Sequence, residues 1–141
     1  MRKKEEVRDE LVDLVIESAL DKKAHDLVEL DLRDVMEASA DYFIICHGDS
    51  GVQLSAITSN IADEVKRNLG LIPKSKEGIR NGEWVLLDYG YVVVHVFLKE
   101  KRNHYMLEEL WSDAIVKRYE EKIEEKKKNI KKNVGTRRNR P

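Results

Sequence analysis

The segment Glu83-Trp84-Val85-Leu86-Leu87-Asp88-Tyr89-Gly90-Tyr91-Val92-Val93-Val94-His95-Val96-Phe97 constrains the fold more than any other part of the chain. It reads as two strands around a tight Tyr-Gly-Tyr turn, because short apolar runs bounded by turn residues suit strands. The second strand is apolar on both faces, which places it in the interior of a sheet rather than at an edge. His95 is a polar residue inside that strand, and buried polar side chains are hydrogen-bonded as a rule, which makes it a core residue. Trp84 and Asp88 share a face of the first strand because side chains alternate with a period of two.

The remaining segments supply the elements such a hairpin must pack against. Val7, Leu11, Leu14, Val15 and Ser18 follow helical spacing and predict a helix over residues 5–21. From Asp26 to Asp34, Leu27/Glu29/Asp31 alternate with Val28/Leu30/Leu32, the pattern of a strand. Ser39 to Asp41 turns the chain, and Tyr42-Phe43-Ile44-Ile45-Cys46 is a short buried strand. Gly48-Asp49-Ser50-Gly51 then opens a helix that Asp49 or Ser50 can cap, with an apolar stripe to about residue 69. Gly70 is placed to stop it and Pro73 to prevent its resumption. Residues 73–82 read as a loop. Lys99 to Trp111 returns to helix, and Val116, Tyr119, Ile123, Ile130 and Val134 extend a thin helical stripe that frays after about residue 132.

This order predicts an α/β chain, an α+β sandwich with a mixed sheet of four or five strands and helices against it. The link from Cys46 to the Trp84 strand passes through a helix and suits a right-handed crossover between parallel strands. Residues 1–116 form the expected domain, and 117–141 a basic helical extension ending in a disordered tail.

With 38% charged and 41% apolar residues, the chain needs a long polar segment somewhere. The net charge of −1 conceals one: residues 117–141 carry 11 Lys and Arg against 4 Asp and Glu, and the other 116 residues carry 15 against 23. An acidic globule with a basic tail suits a partner that presents both basic protein and RNA. Cys46 is the single cysteine, which excludes an intramolecular disulfide and fits a reducing compartment. No run reaches the roughly 18 apolar residues of a membrane helix, and the charged amino terminus is unlike a signal region. The expectation is a cytoplasmic protein without membrane attachment.

Catalytic readings fare poorly. A nucleotidyl transferase needs a Gly-Ser helix start and paired carboxylates on an adjacent strand to hold Mg²⁺. Glu83 and Asp88 are five residues apart, hence on opposite faces and about 16 Å from each other at the usual strand rise. Gly48-Asp49-Ser50-Gly51 lacks the lysine of a phosphate loop, and Asp49 would repel phosphate. The four histidines, His25, His47, His95 and His104, form no zinc-ligand pair. A Cys46–His95 nucleophile pair would need a reactive thiol, and an apolar strand makes a thiol inert. No metal, cofactor or catalytic residue is expected. Trp84, Tyr89, Tyr105 and Trp111, close to Asp88, Arg102 and Glu108, instead suit a binding surface of aromatic anchors rimmed by charge.

At these residues the chain resembles the ribosomal silencing factor (Iojap) family. The hairpin motif is followed by Lys99-Glu100-Lys101-Arg102-Asn103-His104-Tyr105-Met106-Leu107-Glu108-Glu109-Leu110-Trp111, which resembles the family's second segment, with Arg102, Tyr105, Leu107, Glu108, Leu110 and Trp111 at its spacing. Asp21-Lys22-Lys23-Ala24, Leu30-Asp31, Asp41-Tyr42-Phe43-Ile44-Ile45-Cys46 and Gln53 also match, so that the resemblance spans residues 8–113. His47 stands where the family more often has a small residue, and the basic tail lies outside the match. The resemblance implies a nucleotidyltransferase-like fold without the chemistry, and a factor that binds the large ribosomal subunit through its fourteenth protein. Binding there would block subunit joining and lower translation when nutrients are scarce. Carried onto this chain, the partner-binding residues are Trp84, Asp88, Tyr89, Tyr105, Glu108 and Trp111. Further expectations are contact of the tail with ribosomal RNA and a homodimer, as relatives can pair. The competing readings are a nucleotide-handling enzyme and an RNA-binding module driven by the tail.

Overall fold

The computed structural model describes residues 3–105 and 113–121. Its elements are α1 (Lys4–Asp21), β1 (His25–Asp31), β2 (Tyr42–Gly48), α2 (Gly51–Leu69), β3 (Ser75–Glu77), β4 (Trp84–Asp88), β5 (Val92–Leu98), α3 (Lys99–Tyr105) and β6 (Ile115–Tyr119). The strands form one mixed sheet in the order β3-β4-β5-β2-β1-β6.

The twice-apolar strand, β5, is interior as expected, with β2 parallel on one side and β4 antiparallel on the other. The α/β architecture therefore holds, with three differences. The parallel neighbour of β2 is β5 and not the Trp84 strand, so the helical crossover is completed only after the β4–β5 hairpin. Residues 75–77, expected in a loop, pair with β4 as an edge strand. Residues 115–119, expected to begin a helical extension, pair antiparallel with β1 as β6, which runs through the anticipated boundary at residue 116. The physical reason is the edge of β1. An unpaired strand edge exposes a row of amides and carbonyls that any adjacent extended segment can satisfy. Ile115, Lys117 and Tyr119 then fall on one face, and the Tyr119 hydroxyl donates to Glu29 at 2.8 Å. The tail beyond residue 121 lies outside the described residues.

The two faces of the sheet have different cover. On one, α1 and α2 pack over Leu27, Ile44, Cys46, Val85, Leu87, Val92, Val94 and Val96, all fully buried. Helix α2 starts where Ser50 accepts a hydrogen bond from the Gln53 amide and stops at Gly70, whose φ of 67° suits glycine. On the other face a smaller cluster forms from Val28, Leu30, Leu32, Ile45 and Phe97, flanked by Phe43 and Trp84. Short α3 follows β5 onto that second face, where Arg102 reaches His47.

Candidate docking face

Register builds the site. Trp84 pairs with Phe97, Leu86 with His95 and Asp88 with Val93 across the β4–β5 hairpin. Phe43 pairs with Val93 and Ile45 with His95 across β2–β5. Paired residues share a face, so Trp84, Leu86, Asp88, His95, Phe97 and Phe43 occupy one surface, opposite the two long helices.

Trp84 is half-buried and fixed from two sides. Its ring stacks on Phe97 with centroids 5.0 Å apart, and its indole N–H donates to His95 Nδ1 at 3.1 Å. His95 is itself buried, and its ring also lies 4.6 Å from that of Phe43. Burial lowers its pKa to about 4, against a smaller upward pull from Asp88, so the ring is neutral at physiological pH. With Nδ1 accepting from Trp84, the proton sits on Nε2, which is buried without a hydrogen-bond partner among the described residues. This neutral ring orients an indole that is only partly buried. Asp88, half-buried on the same face, accepts from the Gly90 amide at 2.7 Å and thereby holds the hairpin turn. At the near end of β4, Lys101 lies 3.7 Å from Glu83.

Of the six residues expected to bind a partner, the structure brings Trp84 and Asp88, both half-buried, onto one face. Tyr89 is corrected. It continues the parity of Val85 and Leu87, so its ring turns into the helix-side core, only 7% exposed. Burial raises its pKa to about 12, and its hydroxyl has no partner among the described residues. Tyr105 closes α3, and Glu108 and Trp111 lie outside the described residues. The sequence reading missed Phe43, Leu86 and Phe97 as parts of this face. Alternation alone could have placed Leu86 beside Trp84, but Phe43 and Phe97 join it only through strand pairing.

The geometry offers little for catalysis. Cys46 is fully buried on the helix side while His95 pairs with Ile45 on the opposite face, so the two cannot act together. Burial lifts the thiol pKa to about 12. Among the described residues no group of three or more His, Cys, Asp or Glu side chains is arranged to hold a metal ion. None of the described helices is long and apolar enough to cross a membrane.

A family model described as ribosomal silencing factor during starvation matches residues 4–140. The chain belongs to the ribosomal silencing factor family. The match extends beyond the expected limit at residue 113 and takes in nearly all of the basic tail. The chain is 48% identical over 94 residues to ribosomal silencing factor RsfS of Bacillus subtilis, covering 67% of this chain and 78% of that protein. It is 43% identical over 105 residues to RsfS of Halalkalibacterium halodurans, covering 74% and 88%. A crystal structure of a Chromobacterium violaceum protein superimposes with a TM-score of 0.69 at 36% identity, covering 74% of this chain and 85% of that one. A more distant relative is mouse mitochondrial assembly of ribosomal large subunit protein 1, 29% identical over 103 residues, covering 72% of this chain and 45% of that protein.

Proposed function

We propose that this chain silences ribosomes by docking on the large subunit through its fourteenth protein, occupying a surface the small subunit needs. The family match over residues 4–140 carries the reading. The name of the mouse relative, which specifies the large subunit, supports that choice of partner. The chemistry is steric and non-covalent: one surface cannot hold two partners, and release requires only dissociation. The action belongs in the compartment that holds ribosomes, the cytoplasm.

On this reading Trp84 is the anchor. It presents a large ring already locked by Phe97 and His95, so little side-chain entropy is lost on binding. Asp88 supplies a charge for a basic partner surface, where complementarity sets register and association rate. Tyr105, Glu108 and Trp111 are the further contacts that the family resemblance implies, and Tyr89 supports the face from the core.

The test is co-sedimentation with separated ribosomal subunits, followed by a subunit-joining assay. Migration with the large subunit alone is expected, together with inhibition of joining in molar excess. Trp84→Ala should weaken binding by about 2–4 kcal/mol, the range of an interface anchor. Asp88→Asn keeps an acceptor for the Gly90 amide while removing the charge, and should slow association without unfolding the hairpin. Wild-type affinity in both variants would refute the assignment.

A further inference from the structure

A second concave site lies beyond the carboxyl ends of β2 and β5, where His47 pairs with Phe97 next to Trp84, and docking through Trp84 and Asp88 makes no use of its cations. β2 and β5 are adjacent and parallel, and the helices that follow them diverge: α2 covers one face of the sheet and α3 the other. Such a divergence opens a crevice beyond the carboxyl ends of the two strands, where open α/β sheets bind ligands. Here a cavity of about 300 Å³ opens there, lined by Asp26, His47, Lys99, Arg102, Asn103 and Arg118.

The lining is built rather than incidental. Arg102 is 9% exposed, and its guanidinium donates to the His25 carbonyl at 3.3 Å and lies 3.0 Å from His47 Nδ1. A β-bulge between His25 and Val28 puts Asp26 at φ 46° on the rim, and bulges of this kind re-aim side chains at sites. Strand β6 adds Arg118, and α3 adds Lys99. Among the described lining residues, three cations accompany one carboxylate. The adjacent His25 lies 2.9 Å from Asp49 and 3.1 Å from Glu121, so those two carboxylates are directed at the histidine. The start of α2 is occupied from within: Ser50 caps the Gln53 amide, and the Gln53 side chain accepts from the Asp49 amide and donates to the Lys22 and Lys23 carbonyls. The cationic wall, and not the helix start, is what an anion would meet.

We propose that this cleft is a phosphate-binding site that grips the backbone of a single RNA strand. Phosphate fits the convergence of guanidinium and ammonium groups. Among the described residues the lining has no aliphatic side chain, and its one ring, His47, is buried against Arg102, so these residues offer no platform on which a free nucleotide could stack its base. A backbone phosphate needs none. The choice of RNA rests on the ribosomal reading above.

The experiment is fluorescence anisotropy of the full chain with a labelled single-stranded oligouridylate over a salt series. Lys99→Ala with Arg118→Ala removes two exposed cleft cations, and Lys66→Ala with Lys76→Ala removes two exposed lysines elsewhere. Each lost phosphate contact lowers the slope of log affinity against log salt by about 0.7 on single strands. The cleft variant should therefore show a slope about 1.4 smaller, with the control close to wild type. Equal losses in the two variants, or none, would assign RNA binding to the basic tail and overturn the proposal. Millimolar AMP should fail to displace the RNA; displacement would make the ligand a free nucleotide and equally overturn it. Docking on the large subunit fails independently, through Trp84→Ala and Asp88→Asn on β4, so the two failures are told apart.

Discussion

Acid should loosen this fold through His95, and the size of the effect follows from the site. The ring is 4% exposed, with one nitrogen taken up by the Trp84 indole. Its pKa falls from 6.5 in the unfolded chain to about 4 in the folded one. Because the folded value is depressed, the native state favours the neutral ring. The resulting stability is complete above pH 6.5 and is lost as pH falls toward 4. At 1.36 kcal/mol per pH unit, going from pH 7 to pH 5 should cost about 2 kcal/mol from this group alone. Protonation also gives Nδ1 a hydrogen, which removes the acceptor for Trp84, so the docking ring loses its anchor as the fold weakens. Urea denaturation at the two pH values measures the loss. His47 shares the sign, since burial and Arg102 lower its pKa too, so the comparison must be made against His95→Gln, which keeps an acceptor and does not titrate. The variant should lose about 2 kcal/mol less than wild type over the same interval. Identical pH dependence in the two proteins would refute the argument.

Three further outcomes follow from buried or strained groups. Tyr89→Phe removes a buried hydroxyl that lacks a partner among the described residues, so it should be neutral or stabilising by about 1 kcal/mol in urea melts, since an unmade buried hydrogen bond carries a penalty of that order. Gly78→Ala would put a methyl group 1.9 Å from the Trp84 carbonyl oxygen at a φ of 82°; it should destabilise by about 1–3 kcal/mol and loosen the start of β4, seen as faster amide exchange at Trp84. Cys46, fully buried with its pKa pushed up to about 12, should resist aromatic disulfide reagents in native buffer and react readily in urea.

The parts of the fold legible in the sequence are those whose signal is local. The stripe of α2, its Ser50 cap and Gly70 stop, and the twice-apolar β5 are each written within a few residues of the element they define. β3 and β6 escaped because their signal lies elsewhere. Ser75-Lys76-Glu77 is a strand only because β4 offers it an edge, and Ile115–Tyr119 only because β1 does. Read alone, Val116 and Tyr119 suit a helical stripe as well as a strand, and pairing decides. The site behaves the same way. Period-two alternation put Trp84 and Asp88 on one face, but the same alternation, carried one residue past β4, would have sent Tyr89 inward; grouping it with its aromatic neighbours in sequence overrode that parity.

The arrangement also explains why a docking anchor should sit on a strand rather than a loop. A loop tryptophan would have to be immobilised when its partner arrives, and that entropy would be subtracted from affinity. Trp84 is instead held beforehand by a stack on Phe97 and a hydrogen bond to His95, both on β5, one of the two central strands of the sheet. β5 in turn is pinned on its other face by α1 and α2 through Val92, Val94 and Val96. The helix-side core thus acts on the docking face through a single strand, and a cavity opened there, at Val94 for example, should shift His95 and Trp84 along with it. Val94→Ala should therefore lower affinity for the large subunit, at a temperature where the protein remains folded, although Val94 has no access to any partner. Binding that tracks only the folded fraction of that variant would show that the two faces are independent.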